Sequence, residues 1–263
     1  MKHWKKWGLV PCALFLLTIA LYSKEEQNFN QVVLQAVGSM PTGGGYATTA
    51  SSMKHLHQAL SLKKGSLVVE PGIAKPSFCS EATYLVFLKT IQILQEQKKL
   101  FLHEETIAAL MPHYESDGHG FWGCWNANGP GVAQLFYSWG LGPNFTNLEF
   151  AEPGDFLKIF WTDAIGVSEH GHLVIYLGTE KKGGVTYLNC WSSNKPDGYG
   201  KRSYPFSKMH HLIFSRLQNP TSIERSMPLT KKDSYLASLL LKSTSWEEVK
   251  RLCGIRVNPD TSY

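Results

Sequence analysis

The 263-residue chain lacks the patterns by which several protein classes are recognised. No dense run of Lys and Arg with interleaved aromatic residues is present, and beyond residues 1–23 the chain carries 23 Lys and Arg against 21 Asp and Glu. This balance gives no support for nucleic acid as a partner. The five cysteines are widely spaced, without a Cys-x-x-Cys pair or a Cys/His cluster of metal-ligand spacing. We therefore expect neither a small disulfide-rich scaffold nor a metal centre.

Residues 1–23 predict an export signal. Three lysines precede an apolar stretch at residues 8–21, and the small Ser23 stands just before a charged segment. The apolar stretch is short of the ~20 residues that a membrane-spanning helix needs. An uncleaved N-terminal anchor is the alternative, because no clean Ala-x-Ala cleavage site is present. In either case we expect the rest of the chain to be exported, to the periplasm or the cell envelope.

One cysteine, Cys79, stands at the predicted beginning of a long helix. Residues 82–94 are apolar at so many positions that this helix is expected in a buried core, with Ser77 as its cap. The unpaired amides of a helix N-terminus lower the pKa of a thiol and can stabilise an oxyanion, which favours Cys79 as a nucleophile. The alternatives are a small buried apolar residue, or a disulfide partner among the four cysteines beyond residue 23.

A nucleophilic thiol needs a base, and a histidine begins the apolar strand predicted for residues 172–177. His172 is favoured because it directly adjoins the apolar run, which holds its backbone in the sheet. His170 is the competing candidate, two residues earlier and on the same face of an extended chain. A helix-borne Cys followed much later by a strand-borne His is typical of papain-type thiol enzymes.

A third polar group is expected to orient the imidazole. A Lys-Lys-Gly-Gly turn predicts a hairpin between the His172 strand and a strand at residues 185–191. Asn189 on the second strand is the first choice, because its amide oxygen can accept a hydrogen bond from a ring N–H. Ser192 and Asn194 follow closely, and a small error in register would transfer the role to one of them.

These segments resemble the NlpC/P60 family of cell-wall cysteine peptidases, in the family's order along the chain. The similar segments are Cys79-Ser80, the Pro-Gly-Asp strand start at residues 153–157, the Gly-His strand at residues 171–178, and Asn189 at the place of the third polar residue. Phe78 and Glu81 depart from the Asp and Gly that are common in the family, so the resemblance is to a divergent member.

The resemblance covers about residues 70–217 and implies an α+β, papain-like fold. In that fold a central helix bearing the Cys packs on an antiparallel sheet bearing the His. The resemblance also implies hydrolysis of an amide bond in a peptidoglycan stem peptide, without a metal or an organic cofactor. The remaining chain is then an N-terminal helical extension at residues 24–69 and a C-terminal helical tail at residues 218–263.

A segment rich in Gly, Trp and Asn lies between the Cys79 helix and the Pro-Gly-Asp segment. It predicts ordered loops around one short helix near residues 132–139. Trp122, Trp125 and Asn126 are candidate substrate-binding residues, because flat apolar faces and amide groups suit a glycan or peptide groove. The alternative is that the aromatic rings pack on the core.

The sequence thus predicts a cysteine peptidase or amidase that acts on peptidoglycan or on a peptide. Two alternatives stay open. One is a Cys-His acyltransferase or amidase with another substrate, since one fold supports several acyl transfers. The other is an envelope-binding protein without catalytic activity. The membrane is expected as a partner only through residues 1–23, if they are not cleaved.

Overall fold

A computed structural model describes residues 28–225 and 231–255. The leader predicted at residues 1–23 lies outside these ranges. The described chain is an α+β protein in which helices pack on an antiparallel sheet, and this fold class was predicted from the sequence. None of the described helices combines the length and the apolar character that crossing a bilayer requires.

Short helices and strands are mixed up to residue 69, four helices then follow in succession, and most of the sheet comes after them. The helices are α1 (Asn30–Gly38), α2 (Ala50–Gln58), α3 (Cys79–Glu96), α4 (Glu104–Leu110), α5 (Gly120–Asn126), α6 (Gly131–Ser138), α7 (Ser222–Arg225), α8 (Ser234–Ser238) and α9 (Trp246–Leu252). The strands are β1 (Gly43–Gly44), β2 (Leu60–Lys63), β3 (Ser66–Val69), β4 (Asn144–Phe145), β5 (Phe156–Phe160), β6 (Gly171–Lys182), β7 (Val185–Asn194), β8 (Gly198–Pro205) and β9 (His211–Ser215).

Seven strands form one sheet in the order β1-β8-β7-β6-β5-β9-β4, and β2 and β3 form a separate hairpin. The two longest strands, β6 and β7, are joined by the predicted turn at Gly183 and Gly184. Helix α3 packs across β6 and β7, while α1 and α5 pack on α3. The helix that begins with Cys79 and the strand that carries His172 are therefore direct neighbours.

The two faces of the sheet bury different cores, as the alternation of side chains along a strand requires. Leu173 and Ile175 of β6 belong to the large core that also contains the apolar residues of α3. Val174 and Tyr176 belong to a smaller core with residues of β5, β7 and β9. Helix α3 is buried on almost all sides, as its many apolar residues predict.

Several elements differ from the expectation. Within the extension predicted to be helical at residues 24–69, α2 ends at Gln58, and residues 60–63 form β2 because they pair with β3. Helix α4 and strand β8 were not predicted. Strand β8 is rich in glycine and polar residues, so it owes its conformation to pairing with β7 rather than to local preference. Within the segment at residues 24–69, α1 packs on α3 and β1 pairs with β8.

The Pro153-Gly154-Asp155 segment joins three parts of the fold. Asp155 is fully buried, and its carboxylate accepts hydrogen bonds from Arg216 and from the Asn30 side chain, all at 2.9 Å. Gly154 has a φ of +102°, and a Cβ at this position would lie 2.6 Å from the carbonyl oxygen of Asn30. Only glycine fits there without displacing the neighbouring backbone. The segment thus connects the first residue of α1, the start of β5 and the residue after β9.

Asp155→Ala is expected to lower the free energy of unfolding by about 3 kcal/mol, because it leaves the largely buried Arg216 guanidinium without its buried partner. Glu152→Ala is the matched control. Glu152 contacts the same guanidinium at 3.0 Å but is half exposed, so its removal should cost less than about 1 kcal/mol. Chemical denaturation measures both losses. Equal losses would contradict the role given to burial.

Candidate active site

Cys79 is the first residue of α3, as predicted, and it is partly exposed. The cap of the helix differs from the prediction, because the N-cap residue is Phe78 and Ser77 lies one residue too early. The side chain of Glu81 instead accepts a hydrogen bond from the Phe78 N–H at 3.2 Å. The first-turn amides of α3, which have no partner within the helix, lie beside the thiol.

The thiol of Cys79 lies within hydrogen-bonding reach of the imidazole of His172 at the start of β6. Burial by itself would raise the pKa of the thiol. The hydrogen bond and the charge of His172 outweigh burial and, with smaller contributions from the Leu173 N–H and Lys158, lower the Cys79 pKa to about 7. A substantial fraction of the thiol is therefore thiolate at neutral pH. His170, the competing base, lies exposed just before β6.

Asn194, the last residue of β7, is the polar residue beside the imidazole. Its Oδ1 lies 3.2 Å from His172 Nε2. Its Nδ2 donates to the carbonyl oxygens of Ser192 and Gly200, at 3.0 and 2.9 Å, which fixes the orientation of the amide. Because Oδ1 only accepts, Nε2 of the neutral imidazole carries the proton. Nδ1 then has the free lone pair for the thiol proton.

Asn189, the first choice from the sequence, does not lie against His172. It pairs with Gly178 across the hairpin, and its Oδ1 accepts a hydrogen bond from the Ser203 hydroxyl. Of the candidates for the third position, the structure places Asn194 and not Asn189 beside the imidazole.

The register of the hairpin explains this correction. Beyond a register shift in β6, Ile175 pairs with Trp191. Extending the antiparallel ladder towards the start of β6 brings His172 level with Asn194. Ser192, the other alternative, donates its hydroxyl to a backbone carbonyl of β6 at 2.7 Å and so helps to hold the two strands together.

Tyr46 is a site residue that the sequence did not indicate. Its hydroxyl lies within hydrogen-bonding reach of both the thiol and the backbone N–H of Cys79. Burial and the negative charge of the neighbouring thiolate raise the pKa of Tyr46 well above its ordinary value, so the hydroxyl stays protonated. A backbone bridge between Tyr46 and Ser77 brings it there. No local motif signals such a long-range contact.

Cys79 lies in the wall of an open cavity of about 790 Å³, a size suited to a small ligand or a peptide segment. Lys158 and Glu169 lie in the same wall, with Lys158 Nζ 2.5 Å from the Glu169 carboxylate. Glu169 also accepts a hydrogen bond from the Gly129 N–H at 2.5 Å. Through Glu169, the loop that contains Gly129 is connected to Lys158 of β5. Burial raises the pKa of the Asp117 carboxyl in the wall.

Two of the three predicted substrate-binding residues belong to the core. Trp122 and Trp125 border the cavity, but each is only 1% exposed, and their rings pack against Tyr84 at centroid distances of 5.0 and 5.3 Å. Helix α5 directs them at α3, so their faces are not free to stack on a ligand. Asn126 does lie in the cavity wall, where its Oδ1 accepts a hydrogen bond from the Ser80 hydroxyl at 2.6 Å.

The other described cysteines are buried free thiols, and none of the four forms a disulfide. Burial raises the pKa of Cys124 and of Cys190 to about 12 and raises that of Cys253 further. Among these four, Cys79 alone has a lowered pKa. Across residues 28–225 and 231–255, no three His, Cys, Asp or Glu side chains are grouped in a way that could hold a metal ion.

Comparisons with protein-family models, with curated proteins and with solved structures found no match for this chain. The likeness to NlpC/P60 peptidases therefore rests on the sequence motifs alone. The case for catalysis rests on the geometry around Cys79.

Glu81 makes the stability of the fold depend on pH. Its side chain is almost fully buried, and burial raises the pKa of the carboxyl to about 9 against the opposing effect of the Phe78 N–H. The carboxyl is neutral in the folded protein at neutral pH but ionised in the unfolded chain. Because the unfolded chain releases this proton at lower pH, the stability of the fold falls as the pH rises from 4.5 towards 9 and then levels off.

Glu81→Gln is expected to remove this loss, since Gln keeps an acceptor for the Phe78 N–H but has no ionisable proton. The stability of the variant relative to the wild type should rise between pH 4.5 and about 9. Chemical denaturation at a series of pH values measures the difference. A difference that stays constant across this window would mean that the Glu81 carboxyl is ionised in the folded protein.

Proposed function

We propose that this protein is an exported cysteine peptidase or amidase with a papain-like fold that cleaves amide bonds in peptidoglycan stem peptides. One observation carries the catalytic part of the proposal. The Cys79 thiol, in the wall of an open cavity, lies within hydrogen-bonding reach of His172, whose Nε2 faces Asn194. A nucleophile, a base and an orienting group in this order form the working unit of thiol hydrolases.

The substrate class is supported by the sequence. The segments at residues 79–80, 153–157 and 171–178 are similar to NlpC/P60 motifs, and residues 1–23 have the character of an export signal. The wall of the open cavity contains the Asp117 carboxyl and the Lys158–Glu169 ion pair, polar groups that suit a peptide as substrate. A peptidoglycan stem peptide is such a substrate.

The first half of the proposed reaction forms a thioester. The Cys79 thiolate attacks the carbonyl carbon of the scissile amide, and the carbonyl π electrons move to the oxygen, which becomes an oxyanion. When the tetrahedral intermediate collapses, the protonated His172 gives its proton to the amide nitrogen, the C–N bond breaks and the amine leaves. The acyl group is now bound to Cys79 through a C–S bond.

The second half restores the thiol by hydrolysis. His172, now neutral, takes a proton from a water molecule, and the resulting hydroxide attacks the thioester carbon. The C–S bond breaks, the acid product leaves and the thiolate–imidazolium pair forms again. Asn194 keeps the Nε2 proton in place in both halves, so Nδ1 remains the nitrogen that exchanges protons with the substrate.

The oxyanion has two sources of stabilisation beside Cys79. The amides of the first turn of α3 are one source, because a helix N-terminus carries a partial positive charge and unpaired N–H groups. The Tyr46 hydroxyl is the other, since it is a protonated donor next to both the thiol and the Cys79 N–H. Removing one such donor from a thiol or serine hydrolase typically costs about a hundredfold in rate.

Digestion of purified peptidoglycan, followed by mass analysis of the fragments, tests this function. The wild-type protein should release fragments whose masses correspond to cleaved amide bonds with one water added. Cys79→Ala should release none while remaining folded. Cys190→Ala, which removes a buried thiol of β7, is the matched control and should retain activity. Products that carry an added amine in place of water would favour the acyltransferase alternative, and no product at all would reject the proposal.

The same assay separates the candidate base and orienting residues. His172→Ala should lower kcat/KM by at least about a hundredfold, whereas His170→Ala should not. Asn194→Ala should cause a smaller but clear loss, and Asn189→Ala should remain near the wild type because its side chain contacts Ser203. A greater loss in Asn189→Ala than in Asn194→Ala would contradict the assignment made from the structure.

A further inference from the structure

We propose that Tyr204 of β8 is a positioning residue for the base: its hydroxyl fixes the Asn194 amide, which in turn fixes the His172 imidazole towards Cys79. This inference deepens the proposed function and rests on the role given there to His172. No motif in the sequence points to Tyr204. In the ladder of β8 with β7 it pairs with Leu188, so the register alone does not place it beside Asn194; its side-chain hydroxyl reaches the Asn194 amide.

The hydrogen bonds of Asn194 give the first part of the case. Its Nδ2 uses both hydrogens, on the carbonyl oxygens of Ser192 and Gly200. Its Oδ1 receives the Tyr204 hydroxyl at 2.9 Å and faces His172 Nε2 at 3.2 Å. An amide has two donor hydrogens and two acceptor lone pairs, so all four are used. The Tyr204 hydroxyl occupies one lone pair of Oδ1 and leaves the other for the imidazole.

The ring of Tyr204 gives the second part. It meets the His172 ring edge to face, with a centroid distance of 5.9 Å and an interplanar angle of 85°. On its other side it packs against Trp161 at a centroid distance of 5.2 Å. Tyr204 therefore touches both partners of the His172–Asn194 hydrogen bond, and Trp161 holds it in that position.

The chemistry of the hydroxyl supports the direction of this hydrogen bond. Burial raises the pKa of Tyr204 to about 12, although the nearby Arg202 charge opposes this. The phenol is protonated across the neutral range and acts as a donor to the Asn194 oxygen. An acceptor here would repel Oδ1, so the protonated form is the one that fits.

A purely structural role is the competing explanation, because the ring of Tyr204 also packs on the small core of the sheet. Tyr204→Phe separates the two roles, since it keeps the ring and removes the hydroxyl. Tyr235→Phe is the matched control. The Tyr235 hydroxyl also makes one hydrogen bond, to Thr244 at 3.1 Å, and lies in α8 away from the site.

The test measures the rate at which iodoacetamide alkylates Cys79 as a function of pH, with the Cys79 peptide quantified by mass. This readout reports the thiolate and needs no substrate. Tyr204→Phe is expected to move the alkylation midpoint to higher pH and to lower the thiolate population at neutral pH by roughly threefold to tenfold, the effect of one hydrogen bond. Asn194→Ala should shift the midpoint in the same direction, and Tyr235→Phe should not shift it.

The double variant Tyr204→Phe/Asn194→Ala tests whether Tyr204 acts on His172 through Asn194. If Tyr204 acts through Asn194, the double variant should match Asn194→Ala alone. An unchanged alkylation profile in Tyr204→Phe, or losses that simply add in the double variant, would overturn the inference. If peptidoglycan is not cleaved but the Tyr204→Phe shift is observed, the proposed substrate fails and the positioning role stands.

Discussion

The geometry of the site depends on how the backbone of Ser77 is held. Its carbonyl oxygen accepts the Ser193 hydroxyl of β7 at 2.9 Å and the Ala47 N–H at 3.1 Å, and its N–H donates to the Gly45 carbonyl oxygen at 3.3 Å. One residue thus ties the loop before α3 to the sheet and to the segment that follows β1. Each of the three partners lies next to a residue of the site.

The site residues are held in place because they are close neighbours in sequence of Ser77 and its partners. Cys79 comes two residues after Ser77, and Asn194 directly follows Ser193. Tyr46 lies between Gly45 and Ala47, the two residues whose backbones bond to Ser77. The thiol, the orienting amide and the phenol therefore take their relative positions from one small set of backbone contacts. The packing of α3 on β6 and β7 then completes the contact between Cys79 and His172. Burial would leave the thiol protonated, and the nearby imidazole reverses this.

Much of this arrangement could be predicted from local patterns. Apolar residues on nearly all sides of α3 predict a buried helix, and the apolar run after His172 predicts a strand. These are the two elements that bear the thiol and the base. The partner of His172 could not be placed in the same way. Counting from the turn at Gly183 and Gly184 pairs Gly178 with Asn189 and brings His172 level with residue 195, and the register shift in β6, which has no local signal, moves Asn194 opposite His172. Asn189 was chosen for its amide group and its place in the family's order, and the count from the turn alone already sets it apart from His172.

The other differences also come from tertiary contacts. Glycine and asparagine around Trp122 and Trp125 predict ordered loops, but the segment forms α5, and each ring is buried against α3. Tyr46 reaches the site through a backbone bridge to Ser77, and Tyr204 reaches it through side-chain contacts with Asn194 and with His172, a residue far from it in the chain. Composition and periodicity describe single segments, so they cannot report which distant segments meet.

The most direct measurement is the ultraviolet titration of the Cys79 thiolate, taken as the difference between the wild type and Cys79→Ala across pH. We predict a midpoint near pH 7 in the wild type and a midpoint above the ordinary thiol pKa of 9.0 in His172→Ala, where burial acts without the imidazole. A wild-type midpoint at or above 9.0, or one that His172→Ala leaves unchanged, would contradict the formation of the thiolate by His172.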